Sequence, residues 1–360
     1  MGRRKAVTLI AVVVCVWSLR CAGQANSCIS IVSCENNNFY GSSAGCSPTP
    51  PASSYGWFTT APDEAQGQVK NNSCAPPASS DCPTCAGRGI DLSSGNSSVS
   101  QTDLQIPGLG GGLTLARTWT SIWSRAGGGV GIGLFGSGWR STYDEVIFVG
   151  SDGYMKYARA DGGIVSLGFS GRDNSGNSNP QFSVAGGATG NQTLTLTQLA
   201  SNWTLVFQNG EQRVFDMTSG KLLAITDRNG NSTNLTYDAS FRLIKVTDPA
   251  SRHLYFSYSS PSSYVVSAVT SDAGISLSYS YDSLGRLSQY TKPDNTKVSF
   301  QYNDPNPNLI TAVLDNNGKV LESHTYNSCG QGLTSSRAGG VEAITVTYPL
   351  ACHIGLPVAP

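Results

Sequence analysis

The chain has 360 residues, with 23 Lys plus Arg against 23 Asp plus Glu, so its formal charge is zero and only 13% of its residues are charged. A soluble domain usually carries about 25%; this balance argues against the basic face of a nucleic-acid binder and against a charge-driven disordered chain. With 41 Gly, 17 Pro and only 3 His, a helical bundle and a multi-histidine metal centre are also disfavoured.

The chain opens on Arg3, Arg4 and Lys5, followed by an uncharged run of 14 residues from Ala6 to Leu19. A spanning helix needs about 20 apolar residues, so this run suits the core of a secretory leader. Gly23 and Ala25 place a cleavage site after Ala25, and residues 1–25 are read as a signal peptide. An uncleaved anchor is the alternative; lipidation at Cys21 is disfavoured by Arg20, where a small residue is expected. The predicted mature chain loses four basic residues and no acidic ones, leaving 19 against 23. It is mildly acidic, with no evident attraction to membrane lipid or DNA.

Export agrees with the cysteines. Outside the leader there are eight, and six of them, Cys28, Cys34, Cys46, Cys74, Cys82 and Cys85, fall in residues 26–87. That stretch is otherwise rich in Asn, Ser, Pro and Gly and too poor in apolar residues for a core, which predicts a disulfide-stapled segment with connectivity left open. Cys82-Pro83-Thr84-Cys85 has the spacing of a redox or zinc pair. The following Ala86-Gly87-Arg88-Gly89 does not continue a helix, and no second ligand pair lies nearby. Cys329 and Cys352 either pair with each other or leave one thiol free.

From residue 88 onward the pattern is strand and turn. Gln192–Gln198, Trp203–Phe207 and Ile275–Tyr281 alternate with period two. Asn209-Gly210, Asn229-Gly230, Asp294-Asn295 and Asn317-Gly318 mark hairpin turns. Pro62 to Lys70 is the best short helix candidate. From residue 213 the chain repeats itself: Phe215, Tyr237, Tyr258, Tyr281, Tyr302, Tyr326 and Tyr348 are spaced by 21 to 24 residues. The clearest copy is Tyr281-Asp282-Ser283-Leu284-Gly285-Arg286-Leu287; another is Tyr237-Asp238 with Arg242-Leu243 and then Thr247-Asp248-Pro249. About two strands and two turns fit such a unit. One unit cannot bury its apolar face alone, so neighbours must stack.

This Y-D-x-x-G-R-L unit resembles the YD repeat of rearrangement-hot-spot (RHS) proteins. Upstream, Asp103-Leu104-Gln105-Ile106-Pro107-Gly108, Leu113 to Ser121, and Gly136-Ser137-Gly138-Trp139-Arg140 follow one another as in the N-terminal RHS-associated domain. The resemblance covers residues 88–348. It implies an all-β fold, a repeat-built curved antiparallel β-sheet that forms part of a YD-repeat shell, behind a Cys-rich irregular N-terminal segment. It also implies a secreted or cell-surface protein of the kind that encloses a toxin or adheres to cells, and YD repeats are linked to carbohydrate binding. The family's C-terminal self-cleaving core has no counterpart in this sequence. The predicted organisation is therefore a signal peptide (1–25), a Cys-rich segment (26–87), an RHS-associated β domain (88–172), connecting strands (173–212), YD repeats (213–348) and a tail (349–360). Such a sheet is expected to be open, with an unpaired edge.

Other motifs weaken on inspection. Gly131-x-Gly133-x-x-Gly136 lacks the strand-to-helix context of a dinucleotide site. Asp227-Arg228-Asn229-Gly230-Asn231 lacks the glycine and glutamate of a calcium loop and reads as a hairpin. His253 and His324 have no nucleophile in a recognised frame. Asn71, Asn96, Asn191, Asn202, Asn231 and Asn234 stand in glycosylation sequons. No catalytic residue, metal or cofactor is expected. The function expected is a non-catalytic scaffold, exported, with a downstream RHS shell or toxin polypeptide as partner; the alternative is a carbohydrate-binding cell-surface module.

Overall fold

The computed structural model describes residues 89–92, 94–121, 133–150, 153–184 and 194–348, and the backbone of the short strands Thr8–Ile10, Ser30–Glu35, Asn38–Ser42 and Cys85–Ala86. The rest of the leader, Cys28, Cys46, Cys74, Cys82, Cys352, the 62–70 helix candidate and the tail lie outside the described residues, and Cys34 and Cys85 are described by backbone alone.

Strand follows strand because the chain alternates. In Ser276–Tyr281, Leu277 and Tyr279 are buried while Ser276, Ser278 and Ser280 face out. The same beat marks Ser232–Tyr237 and His253–Tyr258. Small hydroxyl side chains outside and large apolar ones inside satisfy a sheet with one covered face. Among the described residues there is no α-helix, and two three-residue 3-10 turns, Leu109–Gly111 and Ala338–Gly340, are the helical elements present.

Twenty strands form one sheet. One of them, Thr8–Ile10, lies parallel to the last strand, Val341–Thr347. The other nineteen run from Val146–Val149 to Val341–Thr347 as an antiparallel meander, each strand beside its neighbours in the chain. Hydrogen bonding crosses residues 172 and 212 without a break, since Ile164–Arg172 pairs with Pro180–Val184 and Asn202–Val206 with Gln212–Asp216. The first edge is not bare. Val146 bridges Lys221, and the Ile147 N–H donates to the Gly220 carbonyl at 2.9 Å. The right-handed twist of the strands makes the sheet curl until its first strand meets the chain entering the eighth, Leu222–Thr226.

A second sheet of three strands, Ser98–Ile106, Leu113–Thr120 and Trp139–Ser141, lies against the apolar face of the first. One continuous apolar cluster joins them, from Val99, Leu115 and Trp119 to Leu277, Leu287, Val298 and Tyr326. Fully burying such a side chain stabilises the fold by about 1.5–3 kcal/mol. The repeat sheet supplies one wall of this core and the N-terminal strands supply its filling.

Candidate functional site: the repeat ladder and its N-terminal seam

The repeat residues are brought together both within and across the units. In Tyr281–Leu287 the Asp282 N–H donates to the Arg286 carbonyl and the Gly285 N–H to the Asp282 carbonyl, both at 3.0 Å. Asp282 Oδ1 accepts from the backbone N–H groups of Leu284 and Arg286, at 2.9 and 3.0 Å, and Oδ2 accepts from Arg286 Nε at 2.6 Å. Gly285 takes a φ of 72°, the left-handed conformation that a Cβ disfavours. Asp238 and Arg242 repeat every one of these bonds. The backbone N–H of Arg242 and then its guanidinium hold the Asp238 carboxyl below the usual carboxylate range.

Each tyrosine then locks the next unit to the last. Tyr237 donates its hydroxyl to the Leu222 carbonyl at 2.7 Å, Tyr258 to Leu243 at 2.8 Å, Tyr281 to Val266 at 2.7 Å, and Tyr302 to Leu287 at 2.9 Å. Tyr326 and Tyr348 continue the ladder to Ile310 and Gly332, at 2.5 and 2.8 Å. The arginines work in the same direction. Arg242 lies 4.7 Å from the Tyr258 ring centroid and Arg286 4.5 Å from that of Tyr302. Arg242 Nη1 also donates to the Ser260, Pro261 and Ser263 carbonyls, and Arg286 Nη1 to that of Pro307. A shallow recess lined by Asp216, Lys221, Tyr237, Asp238 and Phe241 sits on this same rim. Leu287 is fully buried.

The seam with the N-terminal strands centres on residues whose role the sequence did not reveal. Arg117 is fully buried and pairs with Asp103 through Nε and through Nη2, the latter at 2.8 Å. Tyr279 donates to Asp103 Oδ2 at 2.8 Å and Tyr290 to the Asp103 carbonyl at 3.2 Å. The Arg117 guanidinium stands 4.8–5.3 Å from the ring centroids of Phe135, Trp139, Tyr279 and Tyr290. Burial works against its charge, yet Asp103 outweighs burial and the guanidinium stays ionised. Burial and the Asp103 charge raise the Tyr279 hydroxyl well above the usual range. Further ring contacts cross the seam: Trp119 with Tyr326, Trp139 with Phe300, Tyr143 with Phe256 and Phe135 with Tyr279. On the opposite rim, Asp248 and Arg252 form another Asp–Arg cap, and Arg252 Nη1 donates to the Pro107 carbonyl at 2.9 Å. The only sequence signal for Arg117 and Asp103 was their place in the Asp103–Gly108 and Leu113–Ser121 motifs.

Both oxygens of Asp103 are occupied by Arg117 and Tyr279, leaving no proton-accepting edge turned to solvent. Among the described residues no three His, Cys, Asp or Glu side chains are grouped as metal ligands would be. His253 Nδ1 contacts Asp272 Oδ2 at 2.7 Å and its ring stacks on Tyr255. His324 is buried with its ring 3.7 Å from Glu322. The Asp227 segment closes a hairpin, with Oδ1 accepting from the Asn229 and Asn231 N–H groups. Gly133 and Gly136 bridge each other in a turn that leads into Trp139–Ser141, a strand. Asn96 is fully buried, Asn231 bonds Asp227, and Asn234 is exposed. Cys329 is disulfide-bonded.

Three family models match parts of the chain. Residues 87–167 match a domain of unknown function (DUF6531), residues 216–253 the RHS Repeat, and residues 251–341 the Teneurin YD-shell. No curated protein matches. Among solved structures, a chain of the Photorhabdus luminescens Tc holotoxin pore is 11% identical over 53% of this chain and 11% of its own length, with a TM-score of 0.25. A chain of the TcdB2-TccC3-TEV crystal structure is 11% identical over 66% of this chain and 16% of its own length, with a TM-score of 0.26. The chain thus spans less than a fifth of either solved chain.

Proposed function

The chain is an RHS/YD-repeat protein, and from that premise we propose that it is an exported, non-catalytic wall. In this reading residues 213–348 build the N-terminal part of a β-shell, residues 98–121 and 133–143 fill its inner face, and the partner is a further RHS shell or toxin polypeptide. The observation that carries this reading is the ladder. The Asp–Arg caps close their own turns, the tyrosine hydroxyls reach back to the preceding unit, the arginines reach forward to the next, and the leucines of the repeat are buried. A signature consumed in this way supports a load on the wall rather than a reaction. The test is the intact mass of the native exported product, with and without reduction and alkylation, joined to a turnover screen on glycans and peptides. A product that starts at residue 26, or a larger product that starts with these peptides, with no turnover, agrees with the proposal. Turnover abolished by a single Asp or Glu substitution overturns it.

A second reading, glycan binding at a cell surface, rests on Tyr255 and Tyr264, which are 41% and 62% exposed. Rings of this kind can stack on a sugar, whereas the ladder tyrosines are committed to the wall. Glycan-array binding lost on Tyr255→Ala or Tyr264→Ala would favour this reading; an empty array would remove it.

A further inference from the structure

We propose that the recess between the Asp216–Lys221 and Asp238–Arg242 turns is a ligand site for a carboxylate borne on a single apolar ring, with the Lys221 ammonium meeting the carboxylate and Phe241 covering the ring. The repeat itself shows what is unusual here. Successive turns on this rim close on Gly220-Lys221-Leu222, Phe241-Arg242-Leu243 and Gly285-Arg286-Leu287. In the first, lysine stands where the others have arginine; in the second, phenylalanine stands where the others have glycine. Both departures line one cavity of about 320 Å³, together with Leu223, Leu235 and Tyr237. Small-molecule sites begin at about 300 Å³ and combine apolar walls with a few placed polar groups.

Phe241 holds a φ of 57°, where a bulky L residue is strained, and it stays exposed, so burial does not offset that strain. A Cβ at the equivalent Gly285 would meet nothing within 4 Å, so the turn itself has no need of a ring. Strain of this kind clusters at ligand clamps. Lys221 departs from its counterparts in a matching way. Arg242 and Arg286 close on their own aspartates, and Arg242 is spent further on three carbonyls. Asp216 is instead satisfied by the Thr218 and Ser219 N–H groups and by Ser219 Oγ. Lys221 reaches forward, donating to the Phe241 carbonyl, with its nitrogen 5.7 Å from the Tyr237 ring centroid. An ammonium carries three donors, so two remain for a ligand oxygen. Asp238 is paired with Arg242, and Asp144 lies against Arg140, so the charge that an incoming anion meets is that of Lys221. Burial holds this ammonium below the usual lysine range, with Asp144 and Asp238 opposing, and a bound carboxylate would favour its charged form.

The test is calorimetric titration of the full chain with 3-phenylpropanoate, its neutral analogue 3-phenylpropanamide, and N-acetylphenylalanine. The expected result is saturable binding of 3-phenylpropanoate with a Kd of about 1 mM or lower, and binding of the amide weaker by about tenfold or more, the loss of one charge-assisted contact. Lys221→Met should remove the difference between acid and amide. Phe241→Gly should abolish binding of both while raising the melting temperature, because it relieves the strained φ; binding lost from a more stable chain is not lost through unfolding. Tighter binding of N-acetylphenylalanine than of 3-phenylpropanoate would assign the carboxylate to a peptide C-terminus, and the reverse order to a free acid. Equal binding of acid and amide, no saturable binding at millimolar ligand, or binding that survives Phe241→Gly overturns the proposal.

Discussion

Tyr281 shows how a signature residue can be structural at atomic resolution. Its ring is largely buried, and its hydroxyl donates to the Val266 carbonyl one repeat earlier. Tyr281→Phe keeps the ring and removes the bond. It is expected to lose about 1–2 kcal/mol of stability, read as a lower urea midpoint with an unchanged slope. Arg117 is a different case. Arg117→Ala leaves the buried Asp103 carboxylate without its cation and is expected to lose about 3–5 kcal/mol. Arg117→Met combined with Asp103→Leu is expected to lose much less, because removing both charges also removes the desolvation they suffer. A double variant as unstable as the single one would mean that the pair contributes more than mutual neutralisation. Arg117 was present in the sequence only as a letter in a motif; of its four ring neighbours, Phe135 and Trp139 stand 18 and 22 residues further along the chain, and Tyr279 and Tyr290 stand 162 and 173 residues further along. No local pattern could have paired them.

Turns are where local sequence and structure agree most closely. Asn209-Gly210, Asn229-Gly230, Asp294-Asn295 and Asn317-Gly318 all fall in hairpin turns, and Gly210, Gly230, Asn295 and Gly318 take positive φ. The same position holds Gly285 in one repeat and Phe241 in another, the latter at a φ of 57° with its side chain exposed. An L residue in that conformation bears about 1–2 kcal/mol of strain, offset in part by the greater freedom a glycine loses on folding. Phe241→Gly is therefore expected to stabilise the chain by about 0.5–1 kcal/mol, and Gly285→Ala to destabilise it by about 1 kcal/mol. Thermal melts of the two variants should move in opposite directions; equal shifts would show that backbone strain is not what distinguishes the positions. Gly220→Ala should do more damage, since a Cβ there would lie 1.9 Å from the Ile147 carbonyl oxygen. Faster amide exchange in Val146–Val149 would report the first strand lifting from the curl.

The response of the whole molecule to pH follows from where its carboxyls sit. Burial pushes Asp144 up, with Arg140 and Lys221 opposing. Its folded-state value is thus above its unfolded value, so the folded chain binds a proton that the unfolded chain does not, and stability rises as pH falls toward that value. Asp238 is held low by the Arg242 backbone and guanidinium, and Asp282, against its own burial, by Arg286. Their contribution is full above the unfolded value of about 4 and is lost as pH falls through their lower folded values. Urea midpoints should therefore pass through a maximum in mild acid and then drop, with Asp144→Asn flattening only the first limb. A curve that falls steadily from pH 7, or one that Asp144→Asn leaves unaltered, would contradict this assignment.

The sequence by itself determined the strand content, the repeat interval, the turn positions and the family, because alternation, Asn-Gly and Asp-Asn dipeptides, and a recurring Tyr-Asp are local signals carried within one unit of about 22 residues. Only the tertiary structure decided what those residues do: that each tyrosine bonds the preceding unit, that the sheet passes unbroken through residues 172 and 212 and curls until Val146 meets Lys221, and that Arg117 is caged. The physical reason is distance along the chain. Ring contacts, a buried ion pair and the meeting of a sheet with its own edge depend on strand twist accumulated over many residues and on partners from remote segments, neither of which leaves a trace in neighbouring letters.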